Sequence, residues 1–493
     1  MAIPREILDV PRPSSTRVKK SGERYLVIKR TSKRVGKRVV PVELGTIGEI
    51  VNGKYIEIRK EPRKSMHPQI DIKDYGEVAL CDKAAGKLLE DLSASFELSV
   101  AKRLYVIALL RAAYPDIRNR DIQFMYDTSF ASEMYPGLAL SENALSSFLE
   151  KTGMAYSSIQ DFMSRRVQSR TKRKLVIDGT LKDNNSYTND FSEFSRKAAK
   201  KGSKDLNLIY AYDLETKEPA AVKPYPGNLL DSRAVKDFIE EYQVHDAFVV
   251  LDKGFSTREI IAYLKKVEGL KYLLPLKQNS KMVTDSGILD AIAKPLEGYT
   301  DGTIFYNKVK AAEDSYLYAF RDPHIASEQE IAYTAFSKKK GAFSEEKLLS
   351  KRKTFGVIVF ESKEDMAPLD TYLAYGSRWE IETMFSLYKG ILDLDTVNVH
   401  GDYRVYSTEF INYLSVIIGA RVRKMLQTTV LTETTDSKGK KKVTHVCDVY
   451  SYRQVFRMLA KCKKFRLNPE EENKWEPNTP VKYVSQLVEA LHV

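Results

Sequence analysis

Four side chains near residue 380 have the types and spacing of a site that handles phosphate and metal. Tyr375, Arg378, Glu382 and Lys389 follow one another as Y-x2-R-x3-E-x6-K within YGSRWEIETMFSLYK. At about 100° per residue they fall within an arc of roughly 60° on one helix. Ile381, Met384, Phe385 and Tyr388 fall mostly on the other side, where they can pack a core. A phenol, two cations and one carboxylate on a single edge make poor core and a good platform for phosphate and metal. Glu380, the rival carboxylate, points well away from that edge. The plain alternative is the solvated charged face of an amphipathic helix.

Two more carboxylates follow short apolar, β-branched runs. LysLeuValIle (174–177) ends in Asp178-Gly179-Thr180, and AlaPheValValLeu (247–251) ends in Asp252-Lys253-Gly254-Phe255. Continuous apolar runs of this length read as buried strands. Active sites of open α/β sheets gather at the carboxyl ends of strands. An aspartate there can equally cap the turn or helix that comes next.

Three such carboxylates suit phosphodiester chemistry with two metal ions about 4 Å apart, one on the attacking oxygen and one on the leaving oxygen. Mg²⁺ prefers carboxylate oxygens and keeps several waters. Thiolate and imidazole sites find no support. The three cysteines, Cys81, Cys447 and Cys462, form no CxxC pair, and the six histidines show no HExxH spacing.

Asp178, Asp252 and Glu382, with Tyr375, Arg378 and Lys389 around the last, resemble the DDE transposases of bacterial insertion sequences. The likeness is to the insertion sequence 4 group and its close relatives, whose Y-(2)-R-(3)-E-(6)-K signature is met at all four positions. LDKGF around Asp252 is similar to that family's second-aspartate motif. ProGlyAsn (226–228), followed by Asp231, is similar to a segment lying between the two aspartates. The resemblance covers roughly residues 170–425. It implies a ribonuclease H-like catalytic core, Asp178, Asp252 and Glu382 as catalytic metal ligands, and two Mg²⁺ ions, with Mn²⁺ as a substitute. It implies double-stranded DNA as partner, at the element ends and the target, and a homodimer in the DNA complex.

The order of elements agrees independently. Strand-like runs at 206–212 and 219–224 flank the turn 213–218 after the Asp178 strand. A helix follows Asp231, then come the Asp252 strand, a capped helix start at Ser256-Thr-Arg-Glu and a strand at 271–276. This β-β-β-α-β-α-β order is what a ribonuclease H-like α/β core needs. About a hundred residues then separate this strand from Glu382, too many for an ordinary loop. Alternating runs at 303–309, 315–320, 331–336 and 356–360 read as strands of a mainly β insertion. In related transposases such an insertion shapes the DNA channel. The lysines of 337–341 could meet phosphates or form an exposed turn.

The expected division is a basic β-rich unit at 1–80, a helical part at 81–170 that is a candidate for binding DNA ends, and the core at 171–280. The β-rich insertion follows at 281–365, the second part of the core with the Glu382 helix at 366–430, and a carboxyl-terminal extension at 431–493. The helical part can form a helix-turn-helix reader or a plain bundle. The extension carries two short helical patterns, at 450–461 and 483–491, and family analogy suggests dimerisation.

Composition fits a polyanionic partner. The 493 residues carry 79 Lys+Arg against 66 Asp+Glu, a formal charge of +13, which draws DNA in a salt-dependent way. Positive clusters lie at Arg165-Arg166, at 170–174 leading into the Asp178 strand, at 196–204 and at 438–442. The start is charged and proline-broken, without a signal peptide. No apolar run nears the 18 residues of a membrane span, and cysteines are few, so a cytoplasmic, nucleoid-associated protein without membrane contact is expected.

The expected reaction has two stages. Water activated at the carboxylate-held metals cuts one strand at the element end, and the freed 3′ hydroxyl attacks a phosphodiester across the duplex or in target DNA. Arg378 and Lys389 would bind end phosphates, Arg378 by its planar fork. Tyr375 would hydrogen-bond a phosphate near the cut. Trp379 could stack on an unpaired base or simply pack in the core. Asn228 and Lys253 are further candidates for DNA or metal-shell contacts. The competing readings are a metal-dependent nuclease of the same fold without strand transfer, and a non-catalytic DNA-binding descendant.

Overall fold

The computed structural model describes residues 3–35, 38–58, 70–169, 173–186, 188–195, 204–229, 231–435, 441–467 and 474–493. The chain divides into two compact units. One holds residues 1–71 and 466–473, the other 72–465 and 474–493.

The smaller unit is built on an antiparallel sheet, β1 (Thr16–Ser21), β2 (Arg24–Val35), β3 (Arg38–Val51) and β4 (Lys54–Glu57), in sequential order. Val10, Val18, Val27 and Ile50 form its core. The far half of the β2–β3 ribbon leaves Val39 and Val40 exposed among basic residues.

The larger unit begins with helices, of which α1 (Leu98–Ala113), α2 (Glu142–Met154) and α3 (Tyr156–Gln168) are the longest. The dense apolar spacing of 100–112 buries α1 nearly all round, as a helix in the middle of a core must be. Ser141 holds the N-cap position of α2 without a side-chain capping bond.

A mixed sheet of eleven strands, counted among the described residues, forms the centre of this unit. Its principal strands are β5 (Arg173–Asn184), β6 (Lys204–Asp213), β7 (Glu218–Pro226), β8 (Ala247–Leu251), β9 (Lys271–Leu276), β10 (Phe305–Ala312), β11 (Ser315–Arg321) and β12 (Val357–Ser362). The path runs β10-β11-β12-β9-β8-β5-β6, with β7 also pairing β6. β8 is parallel to β5 and to β9, whereas β5, β6 and β7 pair antiparallel. Helix α4 (Asp231–Glu241) precedes β8. Helix α5 (Arg258–Lys266) follows it, capped by the Thr257 hydroxyl, which accepts from the Ile260 amide at 3.3 Å.

The structure corrects two expectations. β5 does not end at Asp178 but runs to Asn184, because its residues 175–183 pair along the length of β6. The run 331–336 is not a strand. It lies inside α6 (Pro323–Lys339), started by Pro323 and capped by Asp322, whose carboxylate accepts from His324 and Ile325. A second helix, α7 (Glu345–Arg352), comes after it. The strands expected near 303–309, 315–320 and 356–360 are present as β10, β11 and β12, and they extend the core sheet through β12 paired with β9.

The chain returns through α8 (Pro368–Gly376) and α9 (Trp379–Ser386) to α10 (Asp402–Thr428), a long helix buried along 407–419. A Cβ on Gly153 of α2 would stand 1.8 Å from the Tyr403 carbonyl of α10. Only a glycine lets those backbones approach so closely. Helices Tyr452–Leu459 and Lys482–Leu491 occupy the two patterns expected near the end of the sequence.

Candidate functional site

Asp178 and Asp252 are neighbours because their strands are parallel and in register. Leu251, the last residue of β8, pairs with Ile177 of β5, so the next residue on each strand is the aspartate. β8 stops there. Asp252 caps the short turn Lys253–Phe255, accepting from the Gly254 amide at 3.5 Å. Asp178 therefore lies within its own strand but at the carboxyl edge of the parallel pair, where the sheet opens. Both aspartates line a small cleft with Gly179, Leu181, Asn207, Gly254 and Phe255.

Glu382 arrives from α9. The stretch from Tyr375 to Lys389 is not the one regular helix that the spacing implies. α8 ends at Gly376, α9 begins at Trp379 with Arg378 as its N-cap residue, and Leu387–Ile391 form a π turn. A turn closed by i→i+5 bonds delays the rotation of the residues beyond it. Lys389 lies inside this turn. Its ammonium donates to the Leu181 carbonyl at 2.6 Å and pairs with Asp395 at 3.2 Å. It thus meets β5 three residues beyond Asp178, about 10 Å along the strand.

Arg378 gathers the three carboxylates. Its Nη1 lies 3.4 Å from Asp178 Oδ2 and 3.4 Å from Asp252 Oδ1, and its Nη2 lies 2.7 Å from Glu382 Oε1. Burial raises the Asp178 carboxyl to about 6. The Gly179 amide, donating to Oδ1 at 2.8 Å, opposes the rise, the Asp252 charge adds to it, and Arg378 restrains it. Burial weakens the Arg378 guanidinium, but Asp252, Tyr375, Asp178 and Glu382 more than offset this and hold it charged.

Tyr375 packs its ring on Phe360 at a centroid distance of 4.5 Å, with Arg378 5.8 Å from its centroid. Trp379 is 70% exposed, so core packing does not describe it. Glu380 points away and pairs with Lys217 at 3.2 Å. Lys253 is exposed beside Asp252. Asn228 is not brought to this site. It follows β7, whose last residue Pro226 pairs with Leu206, itself opposite Lys182, some four residues or about 13 Å along the sheet from Asp178.

Sequence reasoning missed the polar layer beside the site. Asn207 lines the cleft. Lys182, four residues past Asp178, is enclosed with Glu409 at 2.8 Å, and Tyr388 bonds both. The chain of bonds continues through Asn412 to Arg111 of α1. One residue in each of two basic clusters is paired inside the protein. Arg166 pairs with Glu218 at 3.0 Å, and Arg173 is buried against Asp213. Residues 170–172, 196–203 and 438–440 of the basic clusters lie outside the described residues.

Among the described residues no three His, Cys, Asp or Glu side chains stand around a common cation position. The three carboxylates face a guanidinium instead. Their chemistry, carboxylate oxygen alone, fits a hard divalent ion such as Mg²⁺. No helix among the described residues is long and apolar enough to cross a membrane.

Residues 169–410 match the family model described as "Transposase DDE domain". This span contains Asp178, Asp252, Glu382 and the residues around them. Among solved structures, the chain is similar to the "Cryo-EM structure of piggyBac transposase synaptic complex with hairpin DNA". The identity is 12% and the TM-score 0.40, over 80% of this chain and 82% of that one. No curated protein matches the chain.

Proposed function

We propose that this chain is a DDE transposase that cuts DNA at the ends of an insertion sequence and joins the freed ends elsewhere. The observation that carries the reading is the convergence of Asp178, Asp252 and Glu382 on one guanidinium from three separate elements. The family match over 169–410 supports it. So does the β7-β6-β5-β8-β9 order, three antiparallel strands continued by two parallel ones, which is the order a ribonuclease H-like core needs.

Asp178, Asp252 and Glu382 would hold two Mg²⁺ ions, with Mn²⁺ able to substitute. When bound, such ions activate an attacking oxygen and stabilise a leaving one. The protein's own groups do the rest. The parallel register fixes the two aspartates on rigid strands, and α9 brings Glu382 over them. Tyr375 and Arg378 stand beside the carboxylates, where they can orient the scissile phosphate through its oxygens, Arg378 by two donors at once. Lys389, held at Leu181, would contact a phosphate farther along the DNA. Trp379, already in solvent, would stack on an unpaired base near the cut. Lys253 would meet the backbone next to Asp252, and Asn228 would reach only DNA that extends along the sheet. The helical part at 81–170 would read the element end, and the terminal extension would serve a homodimer. The bound duplex would neutralise part of the +13 charge.

The test uses full-length protein, Mg²⁺ and a labelled duplex taken from the inverted repeat flanking the gene. Nicks that leave a 3′ hydroxyl, followed by joined products, are expected. Cleavage without joining would reduce the reading to a nuclease, and specific binding without cleavage would overturn it.

A further inference from the structure

We propose that Arg378 is an internal cation that keeps the catalytic carboxylates closed to metal until DNA phosphate draws it out. The inference rests on the reading of Asp178, Asp252 and Glu382 as metal ligands and adds an order of assembly to it.

The geometry is specific. One side chain reaches all three carboxylates, with Nη1 at 3.4 Å from an oxygen of each aspartate and Nη2 at 2.7 Å from Glu382. Mg²⁺ binds carboxylate oxygen at about 2.0–2.1 Å. An ion held by the two aspartates would compete with Nη1 for the same oxygens. Even displaced to one side, it would face a fixed positive charge a few ångströms away in a partly buried setting, where like charges repel strongly. The guanidinium and the ions are alternatives for the same oxygens.

The arginine is built to leave. It sits at the junction between α8 and α9, as the N-cap residue of the helix that carries Glu382. Its side chain is 23% exposed, so it is not sealed inside the protein. It also stands 5.8 Å from the centroid of the Tyr375 ring. A DNA phosphate, like a carboxylate, offers two oxygens that can accept both donors of the fork at once. Taking that partner moves the positive charge onto the DNA and leaves three carboxylates uncompensated, the condition in which a divalent ion binds best. The coupling is reciprocal by thermodynamic necessity: DNA raises metal affinity and metal raises DNA affinity. A transposase assembled in this order does not load its metals away from a DNA end.

The experiment measures Mn²⁺ affinity directly, by electron paramagnetic resonance of free Mn²⁺, on the full chain with and without a 30-base-pair duplex at low salt. In the absence of DNA, Arg378→Gln should bind Mn²⁺ at least tenfold more tightly than the wild type. Saturating duplex should tighten wild-type binding by a similar factor and leave the variant nearly unchanged. Arg378→Lys, which keeps the charge but loses the fork, should fall between and guards against a folding defect in the first variant. Equal or weaker Mn²⁺ binding by both variants, with wild-type binding insensitive to DNA, would overturn the gate while leaving the metal-site reading intact. No Mn²⁺ binding by any of the proteins, with or without duplex, would overturn both.

Discussion

Lys182 Nζ lies 2.8 Å from Glu409 Oε1 with both side chains enclosed, and this pair ties the Asp178 strand to the long helix α10. Tyr388, six residues after Glu382, accepts from Lys182 at 2.8 Å and donates to Glu409 at 3.0 Å. The pair thus joins the strand that carries Asp178 to the segment that carries Glu382, two of the three carboxylates proposed to hold metal. A buried ion pair is weak support for stability in itself, but breaking it strands a charge and costs about 3–5 kcal/mol. Lys182→Met and Glu409→Leu are each expected to lower stability by that order, and the double variant by clearly less than their sum. Chemical denaturation of the four proteins measures the coupling; additive losses would show that the pair is not a unit.

The Asp178 carboxyl gives a pH dependence with a definite sign. Its folded value, about 6, lies above the ordinary carboxylate range because of burial. A group raised on folding contributes stability that is present below its unfolded value near 4 and lost as pH rises through 6. Without metal, Asp178→Asn should therefore stabilise the protein at pH 8, by about 1–3 kcal/mol, and have little effect at pH 4. Thermal melts across that window check it, and a loss of stability at pH 8 would contradict the assignment.

Trp379 separates a structural role from one on DNA. A side chain that is 70% exposed contributes little to stability, so Trp379→Ala should stay within about 0.5 kcal/mol of the wild type. Binding to a duplex with an unpaired terminal base should weaken by about 1–3 kcal/mol, with a smaller change on a fully paired duplex. Equal losses on both would remove the stacking role.

Gly153 tests the helix crossing that supports the core. A methyl group there would meet the Tyr403 carbonyl at 1.8 Å, and forced overpacking costs about 1–3 kcal/mol. Gly153→Ala should lose at least that much in urea denaturation. An unchanged midpoint would mean that α2 and α10 do not approach as described.

The parts of the site legible in the sequence are those set by local pattern. The apolar runs before Asp178 and Asp252 mark both strands, and the run 271–276 coincides with β9. The parts that were not legible depend on distant partners. The stretch after Asp178 reads as polar, yet it continues the strand because β6 pairs along it and Glu409, 227 positions away, neutralises Lys182. The alternation in 331–336 suggests a strand, although Pro323 and the Asp322 cap mark a helix start nearby. Spacing places Lys389 on the edge of Glu382, but neither the π turn at 387–391 nor the bond to the Leu181 carbonyl follows from it. The gathering of three carboxylates on Arg378 has no counterpart in local pattern, since it needs the sheet, α9 and the helix junction together.

The most direct test of the central claim compares Asp178→Asn, Asp252→Asn and Glu382→Gln with the wild type in one Mg²⁺-dependent assay on the labelled element-end duplex, with duplex binding measured in parallel. Groups that act as a unit give losses that do not add. Each single change should reduce strand cleavage to the same background, the triple variant should be no worse, and all should bind the duplex nearly as well as the wild type. Cleavage at the wild-type rate by any one of the three variants would contradict the account.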